Sequence, residues 1–154
     1  MILLRDDART GIEICNKDLY HQGTAIKAVL FDMDGVILDT EKLYTRFWKE
    51  AAQSLGYPMT HEMALGMRSL SREVGERQLK EYLGETVDYQ QVRNKRIEMM
   101  TAFINENGVE LKPGIHTLLK CLKENKLRTS IATSSPLDRT KEYLSQVGLV
   151  EAFD

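Results

Sequence analysis

The run "IKAVLFDMDGVILDT", residues 26–40, constrains this chain more than any other stretch. Its first six residues are short, β-branched and aromatic, the pattern of a strand buried on both faces. Asp32 and Asp34 come at once after it, with Gly35 behind them. A buried strand ending on two carboxylates one residue apart aims acidic oxygens off its carboxyl end. The fold must give them either a use or a solvent face.

Beyond this run the period changes. Asp39 or Thr40 is suited to cap a helix in which Leu43, Phe47, Ala51 and Leu55 recur every four residues, and Gly56-Tyr57-Pro58 ends it. A second helix is predicted over residues 71–82. A third is predicted over 88–107, with Val92, Met99, Met100, Phe103 and Ile104 on its buried side. No strand-like alternation interrupts residues 40–111, so that span reads as an all-helical insert. Trp48, Met99 and Met100 sit at helical spacing and read as its core. Pro113-Gly114 then opens a helix carrying Ile115, Leu118, Leu119 and Leu122. "LRTSIAT", residues 127–133, reads as a second strand, and a last helix is predicted over 137–147.

Strand, helix, strand in this order gives parallel neighbours joined by a right-handed crossover. Open α/β sheets place ligands at the carboxyl ends of their strands. Asp32, Asp34 and the Thr-Ser-Ser of residues 133–135 are therefore expected to converge. The expected class is α/β, with a parallel-sheet core formed by residues 26–39 and 112–154 around the helical insert. Residues 1–25 are expected to form an N-terminal extension; "GIEIC", residues 11–15, is a candidate edge strand within it.

Composition excludes several functions. Lys and Arg number 21 against 23 Asp and Glu, a net charge of −2, with no basic stripe for nucleic acid or an anionic membrane. Hydrophobic residues at 42% are too many for a disordered chain. No apolar run reaches the roughly 18 residues of a membrane span, and none comes after a basic start as in a signal peptide. Cys15 and Cys121 have neither redox-motif nor zinc spacing, so both are expected as reduced thiols in a cytoplasmic protein.

Paired carboxylates at a strand tip suit a hard divalent cation such as Mg²⁺, which takes oxygen ligands and shares them with phosphate. Hydroxyls and backbone N–H groups at residues 133–135, leading into a helix, make an anion seat. A calcium loop opening at Asp32 would need Gly at Ile37 and Glu at Leu43, so that reading fails. Metal, anion seat and carboxylate together point to phosphoryl transfer, in which a carboxylate can be the nucleophile and a second one the acid and base. Arg68 and Arg72, four residues apart, are candidates for a second anionic or hydroxylated part of a substrate, weighed against a solvated helix face.

"AVLFDMDGVILDTE" resembles the first motif of the haloacid dehalogenase superfamily, in the branch with β-phosphoglucomutase and phosphoglycolate-type phosphatases. "SIATSSP" is similar to its second motif and "LKPGIHTLLKCLKENKL" to its cap-to-core segment; the resemblance covers residues 26–154. It implies a Rossmann-like core with a helical cap inserted after the first strand, acting on a small phosphorylated metabolite such as a sugar phosphate. By this match Asp32 is the nucleophile and ligates Mg²⁺ through its carboxylate. Asp34 is the general acid/base and ligates through its backbone carbonyl. Thr133 and the N–H of Ser134 hold the phosphoryl group, and residues 35–39 are the cap hinge. The family's later strand, its lysine and its downstream acids have no counterpart before Asp154. The chain is therefore expected to be an incomplete example; the competing reading is an inactive fragment or phosphate-binding module.

Overall fold

A computed structural model describes residues 20–21 and 24–154. Tyr20–His21 (β1) and Thr24–Ala25 (β2) form a short antiparallel pair; residues 11–15 lie outside the described residues. The rest is α/β, divided between two compact units, one running from Asp39 to Gly108 and the other holding the residues on either side of it.

In the core unit, Ala28–Phe31 (β3) and Arg128–Ile131 (β4) pair in parallel, with Ala28 opposite Arg128 and Phe31 opposite Ile131. The helix between them, Ile115–Glu124 (α5), starts after Gly114, whose φ of 87° a side chain would resist. Ile115, Leu118, Leu119 and Leu122 are all buried, as their spacing predicts. Leu137–Gln146 (α6) comes after β4 and buries Thr140, Tyr143 and Leu144. The far edge of β4 is also paired. Asp154 N–H donates to the carbonyl of Thr129 at 2.8 Å, and Thr129 N–H donates to the Asp154 carboxylate at 2.8 Å. Cys121 is a free thiol.

The strand is not buried on both faces as its composition predicts. Leu30 is 72% exposed and Ala28 is exposed, whereas Phe31 is buried against Phe153 at a ring separation of 5.8 Å. Composition reports the tendency of a strand to be buried, but cover on its second face comes from other elements. Among the described residues only one neighbouring strand is bonded to β3.

The helical unit contains Glu41–Ser54 (α1), His61–Gly66 (α2), Arg72–Leu83 (α3) and Tyr89–Asn107 (α4). Trp48, Ala51, Ala52, Met59, Leu79, Tyr89 and Val92 share its core. Met100 is buried and Met99 packs against that core. Ser71 and Asp88 cap α3 and α4 by accepting the N–H groups of Val74 and Gln91, each cap contributing about 1 kcal/mol.

One sequence expectation changes here, and two features went unforeseen. Helix α2 went unpredicted because six residues are too short for a helical period to emerge; its signal is the Thr60 cap, which accepts the Met63 N–H at 3.2 Å. Thr40 occupies the N-cap position of α1, but in a helical conformation (ψ −20°) that does not present its hydroxyl to the first turn, and Asp39 pairs instead with Lys42 at 2.9 Å. Arg96 is buried at 8% exposure, its guanidinium 4.8 Å from the Tyr44 ring centre and 4.9 Å from that of Trp48. A charged residue on the buried side of α4 is invisible to a hydrophobic pattern. Burial pushes its pKa down, a shift opposed by Tyr44.

Candidate active site

The parallel register decides the geometry. Phe31 ends β3 opposite Ile131, the last residue of β4, so the segments beginning at Asp32 and Ala132 leave the sheet side by side. Asp32 is exposed one residue beyond the strand, its Oδ1 accepting the Met33 N–H at 2.7 Å.

After Asp32 the chain winds into a tight turn. The Met33 carbonyl accepts the N–H groups of both Ile37 and Leu38 at 3.0 Å, and Gly35 N–H donates to the Leu38 carbonyl at 2.8 Å. Gly35 has φ 78°, a conformation that costs an L-residue a Cβ–carbonyl clash. Met33, Ile37 and Leu38 are wholly buried, and Ile37 is tied to the start of the returning segment by the Lys112 N–H at 2.9 Å. Met33, Ile37 and Leu38 thus anchor the turn, in which Asp32 stays exposed.

Asp34 is half-buried in this turn, and its Oδ2 accepts a hydrogen bond from Ser135 Oγ at 3.1 Å. Thr133, also half-buried, accepts the Ser135 N–H on Oγ1 at 3.1 Å; Ser134 is exposed in the bend between them. Helix α6 begins two residues after Ser135, so the partial positive charge of its N-terminus lies by the same segment. The structure therefore brings Asp34 together with the Thr-Ser-Ser segment. The sequence placed Ser135 in the anion seat with its neighbours; its hydrogen bond to Asp34 is what only the structure gives.

Arg68 and Arg72 do not share a helix face. Arg68 lies in the turn after α2, Ser69 is next with φ 55°, and Arg72 opens α3. A left-handed residue between two positions cancels the four-residue helical relation that their spacing suggested. Arg68 pairs with Glu41 at 3.5 Å.

Among the described residues no three His, Cys, Asp or Glu side chains come together. The exposed acidic oxygens here belong to the Asp32 carboxylate. An exposed carboxylate fits Mg²⁺, which commonly uses one or two carboxylates and fills its octahedron with water and phosphate oxygens.

Residues 29–154 match the haloacid dehalogenase-like hydrolase family. The chain belongs to that family. Its resemblance to a phosphorylated carbohydrates phosphatase of Thermotoga maritima is 30% identity over 129 residues, 84% of this chain and 59% of that protein. To the β-phosphoglucomutase of Bacillus subtilis it is 30% over 136 residues, 83% of this chain and 58% of that one. The chain thus spans under two thirds of the length of these relatives. A solved β-phosphoglucomutase from Clostridium difficile superposes with a TM-score of 0.64 over 84% of this chain and 60% of its own, at 24% identity, a likeness of fold. This haloacid dehalogenase-like chain has part of the family's α/β core, with a helical cap. No helix among its described residues is long and apolar enough to cross a membrane.

Proposed function

We propose that the protein of this chain is a Mg²⁺-dependent phosphatase or phosphomutase acting on a small phosphorylated carbohydrate through an aspartyl-phosphate. The single observation that carries this reading is the junction of the two strand ends, where Asp34 is bonded to Ser135 and Thr133 stands beside it. The relatives' names, a phosphorylated carbohydrates phosphatase and a β-phosphoglucomutase, support the substrate class.

In this reading Asp32, exposed at the strand tip, attacks phosphorus with a carboxylate oxygen, and the P–O bond to the sugar breaks. Asp34 gives its proton to the departing oxygen. It then takes a proton from water, or from a sugar hydroxyl in the mutase case, whose oxygen attacks the aspartyl-phosphate and frees Asp32. Thr133 donates to a phosphoryl oxygen. Its hydroxyl already accepts the Ser135 N–H, which turns the proton away from that bond and toward an incoming anion. The Asp32 carboxylate and the Asp34 carbonyl would hold Mg²⁺, which when bound neutralises phosphoryl charge. Arg68 and Arg72 are candidate contacts for a second polar group of the substrate, Arg68 by exchanging its partner Glu41.

The test is phosphate release from a panel of sugar phosphates with Mg²⁺ and with chelator, for the chain and for Asp32→Asn. Release that needs the metal and is lost in the variant supports the reading. Phosphate binding without turnover would make the chain a binding module.

A further inference from the structure

We propose that Ser135 is a positioning residue that holds the carboxylate of Asp34 in line for proton transfer, an inference that rests on the acid/base reading of Asp34. Ser135 is fixed on both sides. Its N–H is committed to Thr133 Oγ1 at 3.1 Å, and α6 starts two residues later at Leu137. Its short side chain spans to Asp34 Oδ2 at 3.1 Å, joining segments 101 residues apart in sequence. Asp34 sits in turn on the wound segment that Gly35 permits and that buried Met33, Ile37 and Leu38 anchor. Two restrained backbones are thus linked at the open end of the sheet through the Ser135–Asp34 hydrogen bond.

A hydroxyl suits this place for a chemical reason. It donates to an ionised carboxylate, and after rotation about its C–O bond it accepts from a protonated one. The same contact can therefore hold Asp34 as base and as acid with no movement of the main chain. A backbone N–H, which only donates, could not accept the proton of the acid form. Proton transfer requires the donor within about 2.6–3.2 Å of its target, so a carboxylate free to change rotamer loses much of its effect.

The test compares the full chain with Ser135→Ala and Ser135→Thr, using kcat/KM, which reports the steps up to departure of the leaving group. Glycerol phosphate releases a basic alkoxide that needs a proton; nitrophenyl phosphate releases a stable anion that does not. Ser135→Ala should lower kcat/KM for glycerol phosphate about tenfold, the size expected of one lost hydrogen bond, and at least fivefold more than for nitrophenyl phosphate. Ser135→Thr should restore most of the loss. An equal fall for both esters overturns the proposal, since it would mark a phosphate contact or a folding defect. NMR relaxation of the Asp34 carboxyl carbon, assigned with Asp34→Asn, needs no turnover. Greater mobility in Ser135→Ala supports positioning, and unchanged mobility overturns it. If the unmodified chain hydrolyses neither ester, the proposed activity fails and the mobility measurement alone decides the positioning.

Discussion

The backbone N–H of Ala132 donates to the carbonyl of Phe31 at 2.8 Å, one residue before Asp32 and one before Thr133. That bond closes the parallel pair at its carboxyl end, so that the last interaction of the sheet is also the one that sets two site segments beside each other. A register shift of one residue would turn every side chain of β3 to its opposite face. It would bury Leu30 and expose Phe31, at the cost of the Phe31–Phe153 contact.

Thr133 should bind phosphate through its hydroxyl. Thr133→Val, which keeps the shape and removes the donor, is expected to weaken inorganic phosphate binding in the presence of Mg²⁺ by about ten- to hundredfold, the worth of one hydrogen bond to a charged group. Thr133→Ser should stay within a few-fold. Titration calorimetry of the two variants measures the difference without any turnover.

Gly35 should resist substitution. At φ 78° an alanine is expected to cost about 1–2 kcal/mol of stability. The strain falls on the turn that carries Asp34, so the Ser135–Asp34 bond should loosen as well. Urea unfolding reads the first effect, and the Asp34 carboxyl resonance reads the second.

Arg96 should separate the contribution of packing from that of charge in the helical unit. Its guanidinium lies over the Tyr44 and Trp48 rings, and its Nε is buried with no hydrogen-bond partner among the described residues. Arg96→Ala removes the whole stem and should cost about 2–4 kcal/mol. Arg96→Met keeps most of the volume and removes a desolvated charge, so it should cost under about 1 kcal/mol or stabilise. Thermal unfolding of both variants gives the comparison; equal losses would assign the stabilisation to the cation–ring attraction instead.

Much of this molecule is written in local pattern. The period of Ile115, Leu118, Leu119 and Leu122 announces α5 and its buried face, because a helix repeats every 3.6 residues whatever lies against it. The caps at Ser71 and Asp88 and the glycine at position 35 are equally local. The long motif "AVLFDMDGVILDTE" around Asp32 and Asp34 carries the resemblance to the family to which the chain belongs.

Other features belong to tertiary structure alone, because they depend on groups far apart in the chain. Leu30 and Phe31 are both large and apolar, and only the neighbouring elements decide that one is exposed and the other buried. The left-handed turn at Ser69 separates two arginines that spacing had joined, and Arg96 enters an apolar interior because two aromatic rings are there to receive it. Strand order in the sequence already led the acidic pair and the hydroxyls to be expected together. Which atoms meet, Ser135 on Asp34, came from the pairing of two strands whose register no local pattern encodes, since that register is set by packing and hydrogen bonds across the sheet.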